Sequence, residues 1–210
     1  MGLVVWGRAS SVNVQKVLWA LAELDLPFER RDAGGRYGVT DTAAFGAMNP
    51  MRRVPVIEED GFVLWESHAI LRHLGGVAGR LVPQDARGHA VMDQWMEFGS
   101  TTLQPPFIAV FWQLVRTRAA ERDARALDKA RREMEAALGI VDGRLAGSRF
   151  LAGDHLSMAD IAVGALLHRI RDLGLMPGGL DHLGRWADGL AARPGYREHV
   201  AVSYEELRVV

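Results

Sequence analysis

The chain has 210 residues, 49% apolar and 24% charged, with a net charge of −1; that balance suits one large or two small hydrophobic cores and builds no field to attract nucleic acid or an anionic membrane. Cysteine is absent, which excludes a disulfide framework, a thiolate metal site and a Cys nucleophile, so any sulfur chemistry must use a thiol carried in by a ligand. No apolar run approaches the length of a membrane span and the chain opens on a strand, so neither a span nor a signal peptide is expected, and a cytoplasmic setting is.

Leu3–Trp6 reads as a short apolar strand and residues 7–13 as a polar loop. Val14, Val17, Leu18, Leu21 and Leu24 then recur at helical spacing until Asp25-Leu26-Pro27 stops the helix. Phe28–Asp32 is a second strand. Residues 33–50 are rich in Gly and polar residues, with a short helix at Thr42–Met48 ended by Asn49-Pro50. Val54–Ile57 and Phe62–Trp65 flank Asp60-Gly61, a pair suited to the positive φ of a tight hairpin turn. Pro55 cannot donate to a ladder, which places its strand at an edge or Pro55 at an end, and an X-Pro bond is where a cis peptide costs least. Ser67 stands at an N-cap position with Glu66 just outside; Ile70, Leu71 and Leu74 give the helix its apolar side, and Gly75-Gly76 ends it. A β-α-β unit, a hairpin and a helix over residues 1–80 make a thioredoxin-like plan.

Residues 81–86 read as a linker, and from 87 to 210 strand signals vanish. One helix runs from about Ala86 and bends near Gln104-Pro105-Pro106; another spans Glu121 to Leu145 on a stripe of Leu127, Met134, Leu138, Val141 and Leu145. A third starts at Ser157, and a fourth covers His182–Ala192 before Arg193-Pro194-Gly195 ends it. The fold class is therefore α/β plus all-α: an N-terminal thioredoxin-like domain followed by a helical bundle.

Chemistry concentrates where the chain enters its first helix, at Ser10, Ser11 and Asn13. Free N–H groups and the positive end of the helix dipole favour an anion there, and a thiol held at such a place ionises more readily. A Ser hydroxyl would add a hydrogen bond strongest for the thiolate, with Asn13 a second donor. Capping the helix is the commoner use of these residue types. Ser157 and Asp160 form a capping-box pair, which assigns them to folding. The seven His residues show no metal-ligand spacing, and no metal is expected.

The Val-Pro-Val strand, hairpin and Glu66-Ser67 helix start, together with Ser11-x-Asn13-x-x-Lys16-Val17, resemble the glutathione transferases, in particular the theta-like and bacterial members that use Ser. The resemblance covers nearly the whole chain. It implies glutathione as co-substrate, ionised by Ser11 with Asn13 (Ser10 competing for the role) and attacking a small electrophile by halide displacement or conjugate addition, a detoxification chemistry. It further implies that Val54, preceding a cis Pro55, pairs through its backbone with the cysteinyl part of the tripeptide. Glu66 and Ser67 would take the γ-glutamyl end, and Arg53, ahead of Arg52, Arg36 and Tyr37, the glycyl carboxylate. Acceptor-site candidates are Phe107, Phe111 and Arg116. The family is usually homodimeric. A non-catalytic glutathione-binding or protein-interaction module of the same fold is the alternative.

Overall fold

The computed structural model describes residues 2–209 and divides them into two compact units. The first comprises the residues up to Leu81 together with Pro194–Val202; the second comprises Val82–Arg193 and the chain from Ser203 onward. The sequence places everything after residue 87 in one domain, whereas the segment 194–202 belongs with the first unit.

In the first unit, β1 (Leu3–Trp6), β2 (Phe28–Arg31), β3 (Val56–Glu59) and β4 (Phe62–Trp65) form a mixed sheet in the order β2-β1-β3-β4. β1 and β2 are parallel, and the other two pairings are antiparallel. β3 is thus a central strand, and Pro55 escapes the ladder by standing one residue before it; the strand begins two residues later than the sequence suggests. The Val54–Pro55 peptide is cis. The hairpin turns on Asp60 at φ 48° and Gly61 at φ 86°, the left-handed backbone that this pair tolerates.

Leu3, Val5 and Ile57 are fully or almost fully buried. A second cluster forms around Ala33, Phe45 and Val56, with Trp6, Val54 and Trp65 packed against it. Phe45 lies on α2 (Ala43–Met48), whose N-cap is Thr42. α1 (Val12–Glu23) packs against α3 (Ser67–Ala78). α3 runs through Gly75-Gly76 and stops at Gly79 in the αL conformation, because two helical glycines cost stability without breaking the hydrogen-bond ladder.

In the second unit α4 (Ala86–Phe98) is capped by Asp85, whose carboxylate accepts from the Arg87 and Gly88 N–H groups. It continues through a π-helical turn (Gly99–Leu103) into α5 (Gln104–Phe111) and a second π turn (Trp112–Arg116). The expected disturbance at Pro105-Pro106 is this π turn, in which the Gln104 N–H bonds five residues back to Gly99. α6 (Ala124–Leu145) follows, with Met134, Leu138 and Val141 buried. It starts three residues later than the sequence suggests, at the Asp123 cap.

α7 (Met158–Gly164), α8 (Leu167–Asp172) and α9 (Asp181–Ala191) complete this unit. Asp160 is fully buried and accepts from Ser157 N, Ser157 Oγ, Leu151 N and Trp186 Nε1 at 2.8–3.1 Å. Burial still pushes its carboxyl up to about 6, against those four hydrogen bonds. Arg193-Pro194-Gly195 does end α9, but Pro194 also opens α10 (Pro194–His199), which packs on α1 in the first unit. A proline at the first helical position loses no intrahelical bond, so the same residue serves as stop and start.

Candidate functional site

The loop between β1 and α1 is shaped by close packing. A Cβ on Gly7 would meet Val14 Cγ2 at 2.4 Å and Val54 Cβ at 3.2 Å, so only glycine lets this loop pass beside Val54. Gly34 approaches the Val54 side chain as well, within 3.6 Å of such a Cβ. The loop that carries the serines and the residue before Pro55 are therefore brought together, although 40 or so positions separate them in the chain. Buried Gln15 fixes the loop from below by donating from Nε2 to the Ala9 carbonyl at 2.9 Å. Asn49, also buried, donates to the Arg53 carbonyl at 2.8 Å and so sets the turn that leads into Val54.

Ser11 is the N-cap of α1 by backbone position, yet its side chain makes no capping hydrogen bond. Its carbonyl accepts from Gln15 N at 2.9 Å, so the backbone does the helical work and the half-buried hydroxyl is left over. Ser10 is 4% exposed and faces inward by comparison. Asn13 Oδ1 is buried without a hydrogen-bond partner among the described residues.

Across from this loop the chain enters α3. The helix begins at Ser67 itself, and Glu66 holds the cap position, one residue earlier than the sequence suggests. Glu66 has φ 69° and ψ 115°, a conformation costly for a residue with a Cβ, and strain of that kind gathers at ligand sites. It leaves the Glu66 carboxylate exposed and Ser67 buried at the helix start. Arg53 is exposed, and its guanidinium makes no ion pair or hydrogen bond among the described residues. Arg52 instead donates to the Thr40 and Thr42 carbonyls, a structural task, and Arg36 lies over the Tyr37 ring.

Two further residues belong to this region and the sequence gives no sign of them. Lys16 is wholly buried, with Nζ 3.1 Å from Nε2 of buried His68. This contact ties the start of α1 to the start of α3. Burial lowers the Lys16 ammonium to about 7, with the Glu66 carboxylate opposing that change. Lys16 lies about 200° around α1 from Val14, on the face away from the Val14, Val17, Leu18 and Leu21 stripe, so spacing does not mark it as buried.

The acceptor candidates are more mixed. Phe107 and Phe111 are buried and pack against each other in the second unit, with Tyr204 against Phe111. Arg116 is exposed and lies over the exposed Trp112 ring, 4.8 Å from its centroid. No group of three metal-ligating side chains with metal-site geometry occurs among the described residues, and no helix there is long and apolar enough to cross a membrane.

The chain's own arrangement thus offers a helix terminus with an unspent hydroxyl, a strained acid before a second helix, and an accessible arginine. The model of the glutathione S-transferase N-terminal domain matches residues 10–76, and that of the glutathione S-transferase C-terminal domain matches residues 91–194. The chain is 35% identical over 204 residues to glutathione S-transferase GstB of Escherichia coli, covering 95% of this chain and 98% of that protein. Bovine glutathione S-transferase theta-1 is 30% identical over 153 residues, 69% of this chain and 64% of its own length. Among solved structures, a theta class glutathione S-transferase from Xanthomonas axonopodis pv. citri with glutathione bound superposes with a TM-score of 0.92 at 34% identity, covering 97% of this chain and 99% of that one. A glutathione transferase from Burkholderia graminis, with two glutathione molecules bound per subunit, gives 0.85 at 27% identity, covering 97% and 89%. Matched over nearly its whole length, the chain belongs to the glutathione S-transferase family as a theta-like member.

Proposed function

We propose that this protein binds glutathione in the cleft of its first unit, ionises the thiol, and transfers the thiolate to a small electrophile. The observation that carries the reading is the Ser11 hydroxyl, placed at the first turn of α1 and not spent on capping it. The thiol gives its proton to solvent; the thiolate is held by the Ser11 O–H and by the free N–H groups of the helix terminus, and then attacks an electrophilic carbon as the leaving group departs. These contacts favour the thiolate over the thiol, and only such differential stabilisation raises the rate. Asn13 supplies a second polar contact. Glu66 and Ser67 take the ammonium and carboxylate of the γ-glutamyl end, the backbone of Val54, before Pro55, pairs with the cysteinyl part, and Arg53 meets the glycyl carboxylate. Arg116 is the accessible acceptor-side candidate, whereas Phe107 and Phe111 are buried. Catalysis by a cytoplasmic homodimer acting in detoxification is the setting proposed with it, the dimer being checked by light scattering.

Ultraviolet difference titration of glutathione in the presence of the protein tests the reading. The thiolate band is expected to grow in at lower pH than for free glutathione. An unshifted titration at saturation rules out the catalytic role and leaves a binding or interaction module.

A further inference from the structure

Lys16 and His68 are buried titratable groups that the proposed reaction does not use. From Val14 to Leu21 every side chain of α1 is buried, and Lys16 is the charged one among them. A lysine so placed is almost always paired, and its Nζ stands 3.1 Å from Nε2 of His68. His68 directly follows Ser67 at the start of α3, and both are buried. The contact therefore joins the two helix beginnings to which the ligand's sulfur and its γ-glutamyl end are assigned above.

The chemistry of the pair is that of one proton. An ammonium has three donors and no acceptor, so a charged Lys16 donates to Nε2 and holds the imidazole neutral, with its hydrogen on Nδ1. A second proton would set two cations 3.1 Å apart out of water, where their repulsion is strong. A neutral Lys16 gives up the charge-assisted bond. Burial lowers the ammonium to about 7, and the Glu66 carboxylate opposes a further fall, so both forms are populated near neutral pH.

The other titratable groups on elements around α1 have partners of their own. Glu23, near the end of α1, accepts from Trp19 Nε1 at 2.8 Å. On α10, which packs on α1, Tyr196 stands edge-on to Trp19, and His199 lies against Phe28 and beside Glu198. Arg197 of that helix and Arg72 of α3 are likewise engaged, and His73 packs on the Phe62 ring. On the sheet, Arg30 pairs with Asp32 and donates to the Gly7 carbonyl.

Glutathione bound as proposed above sets its γ-glutamyl carboxylate on Ser67, beside the pair, and its ammonium on Glu66. Ser67 is buried and Glu66 exposed, so the anion acts on Lys16 through protein while the cation is screened by water. The net effect favours the protonated amine.

We propose that Lys16 and His68 form a proton-dependent brace between α1 and α3: the ligand's γ-glutamyl carboxylate draws a proton onto Lys16, and the ammonium, bonded to His68 Nε2, holds the two helix starts in the binding geometry. Lys16 is thus a positioning residue, acting through His68 and the helix starts. By reciprocity, protein in which Lys16 is already an ammonium binds the ligand more tightly. This role rests on the glutathione reading for the place of the γ-glutamyl end.

Calorimetric titration of the whole protein with S-methylglutathione, which has no thiol to ionise, tests this between pH 6 and pH 8 in buffers of different ionisation enthalpy. With a free-protein value of about 7 and a coupling of about tenfold, Lys16 takes up about 0.4 proton per ligand at pH 7, and affinity falls about fivefold from pH 6 to pH 8. The ligand's own amine titrates with every variant, so the quantity read is the difference from Lys16→Met. Lys16→Gln, which keeps a donor for His68 without the charge, is a second such reference and should match it. His68→Gln keeps an acceptor for the amine but cannot itself titrate, and is expected to retain the wild-type uptake.

Equal proton uptake by wild type and the two uncharged variants overturns the brace. So does an affinity loss in those variants that is the same at every pH, the mark of a merely structural lysine. Loss of uptake in His68→Gln overturns the assignment of the proton to Lys16. Absence of binding at every pH defeats the glutathione reading as well, whereas binding without the extra proton defeats the brace alone.

Discussion

Helices α1 and α7 each take a serine as N-cap, and the two caps are built to opposite ends. At α7, Ser157 and Asp160 close on each other, and Leu151 N and Trp186 Nε1 fill what remains of the carboxylate. At α1, Ser11 lends its backbone to the helix and keeps its hydroxyl back, while Asn13 Oδ1 is buried with no partner. The same residue type in the same position is closed in one unit and, in the other, keeps its hydroxyl unspent. Satisfaction of the polar groups, more than their presence, distinguishes the two.

The largest effect should come from opening the closed end. Asp160→Ala orphans three other donors in the interior besides the Ser157 hydroxyl, at about 1–3 kcal/mol each, and is expected to cost about 3–5 kcal/mol in denaturant unfolding. If it unfolds at the wild-type midpoint, the closed terminus is not structural and the contrast collapses.

Next comes Lys16, the buried amine on α1. Its folded-state value of about 7 lies below the 10.5 of the free side chain, so between those values the unfolded chain binds the extra proton and stability rises with pH. At about 1.4 kcal/mol per pH unit, wild type should gain about 2–3 kcal/mol between pH 7 and pH 9 relative to Lys16→Met. Parallel stability curves for the two proteins would show that the lysine is charged in the fold.

Ser11→Ala should leave the unfolding midpoint nearly unchanged and lower kcat/KM by about 10–100-fold, the worth of one hydrogen bond to a charged group. The thiol titration of bound glutathione should move back toward that of free glutathione in the same variant. Ser10→Ala should do the least, within about threefold in kcat/KM, because Ser10 faces inward. Equal losses from the two variants would reverse the roles of the two serines.

Much of this contrast was legible in the chain itself. Hydrophobic spacing placed α1 to within two residues, Asp60-Gly61 marked the hairpin turn, and the Ser157–Asp160 spacing announced a box that does form. Glu66 and Ser67 were recognisable as a helix start, but their caps shift by one because a glutamate in a left-handed backbone is not a choice that propensity suggests. β3 lies inside the sheet despite its proline, since one residue of offset is enough to remove Pro55 from the ladder. The Lys16–His68 contact was invisible: it joins positions 52 residues apart on two helices, and neither spacing nor composition reports on such a meeting. Phe107 and Phe111 show the converse: in that aromatic stretch the two phenylalanines turn inward and Trp112 stays exposed.

The π turn ahead of Pro105-Pro106 has a consequence for how the second unit can change by insertion and deletion. Each residue of an α-helix advances the side chains by about 100° around the axis, so the wider turn at Gly99–Leu103 resets the angular phase of everything beyond it. Beyond it Phe107 and Val110 are buried. Removing a single residue from this turn would leave the chain helical yet swing α5 about a quarter-turn, trading its interior for its surface. Length here is under tighter constraint than residue identity.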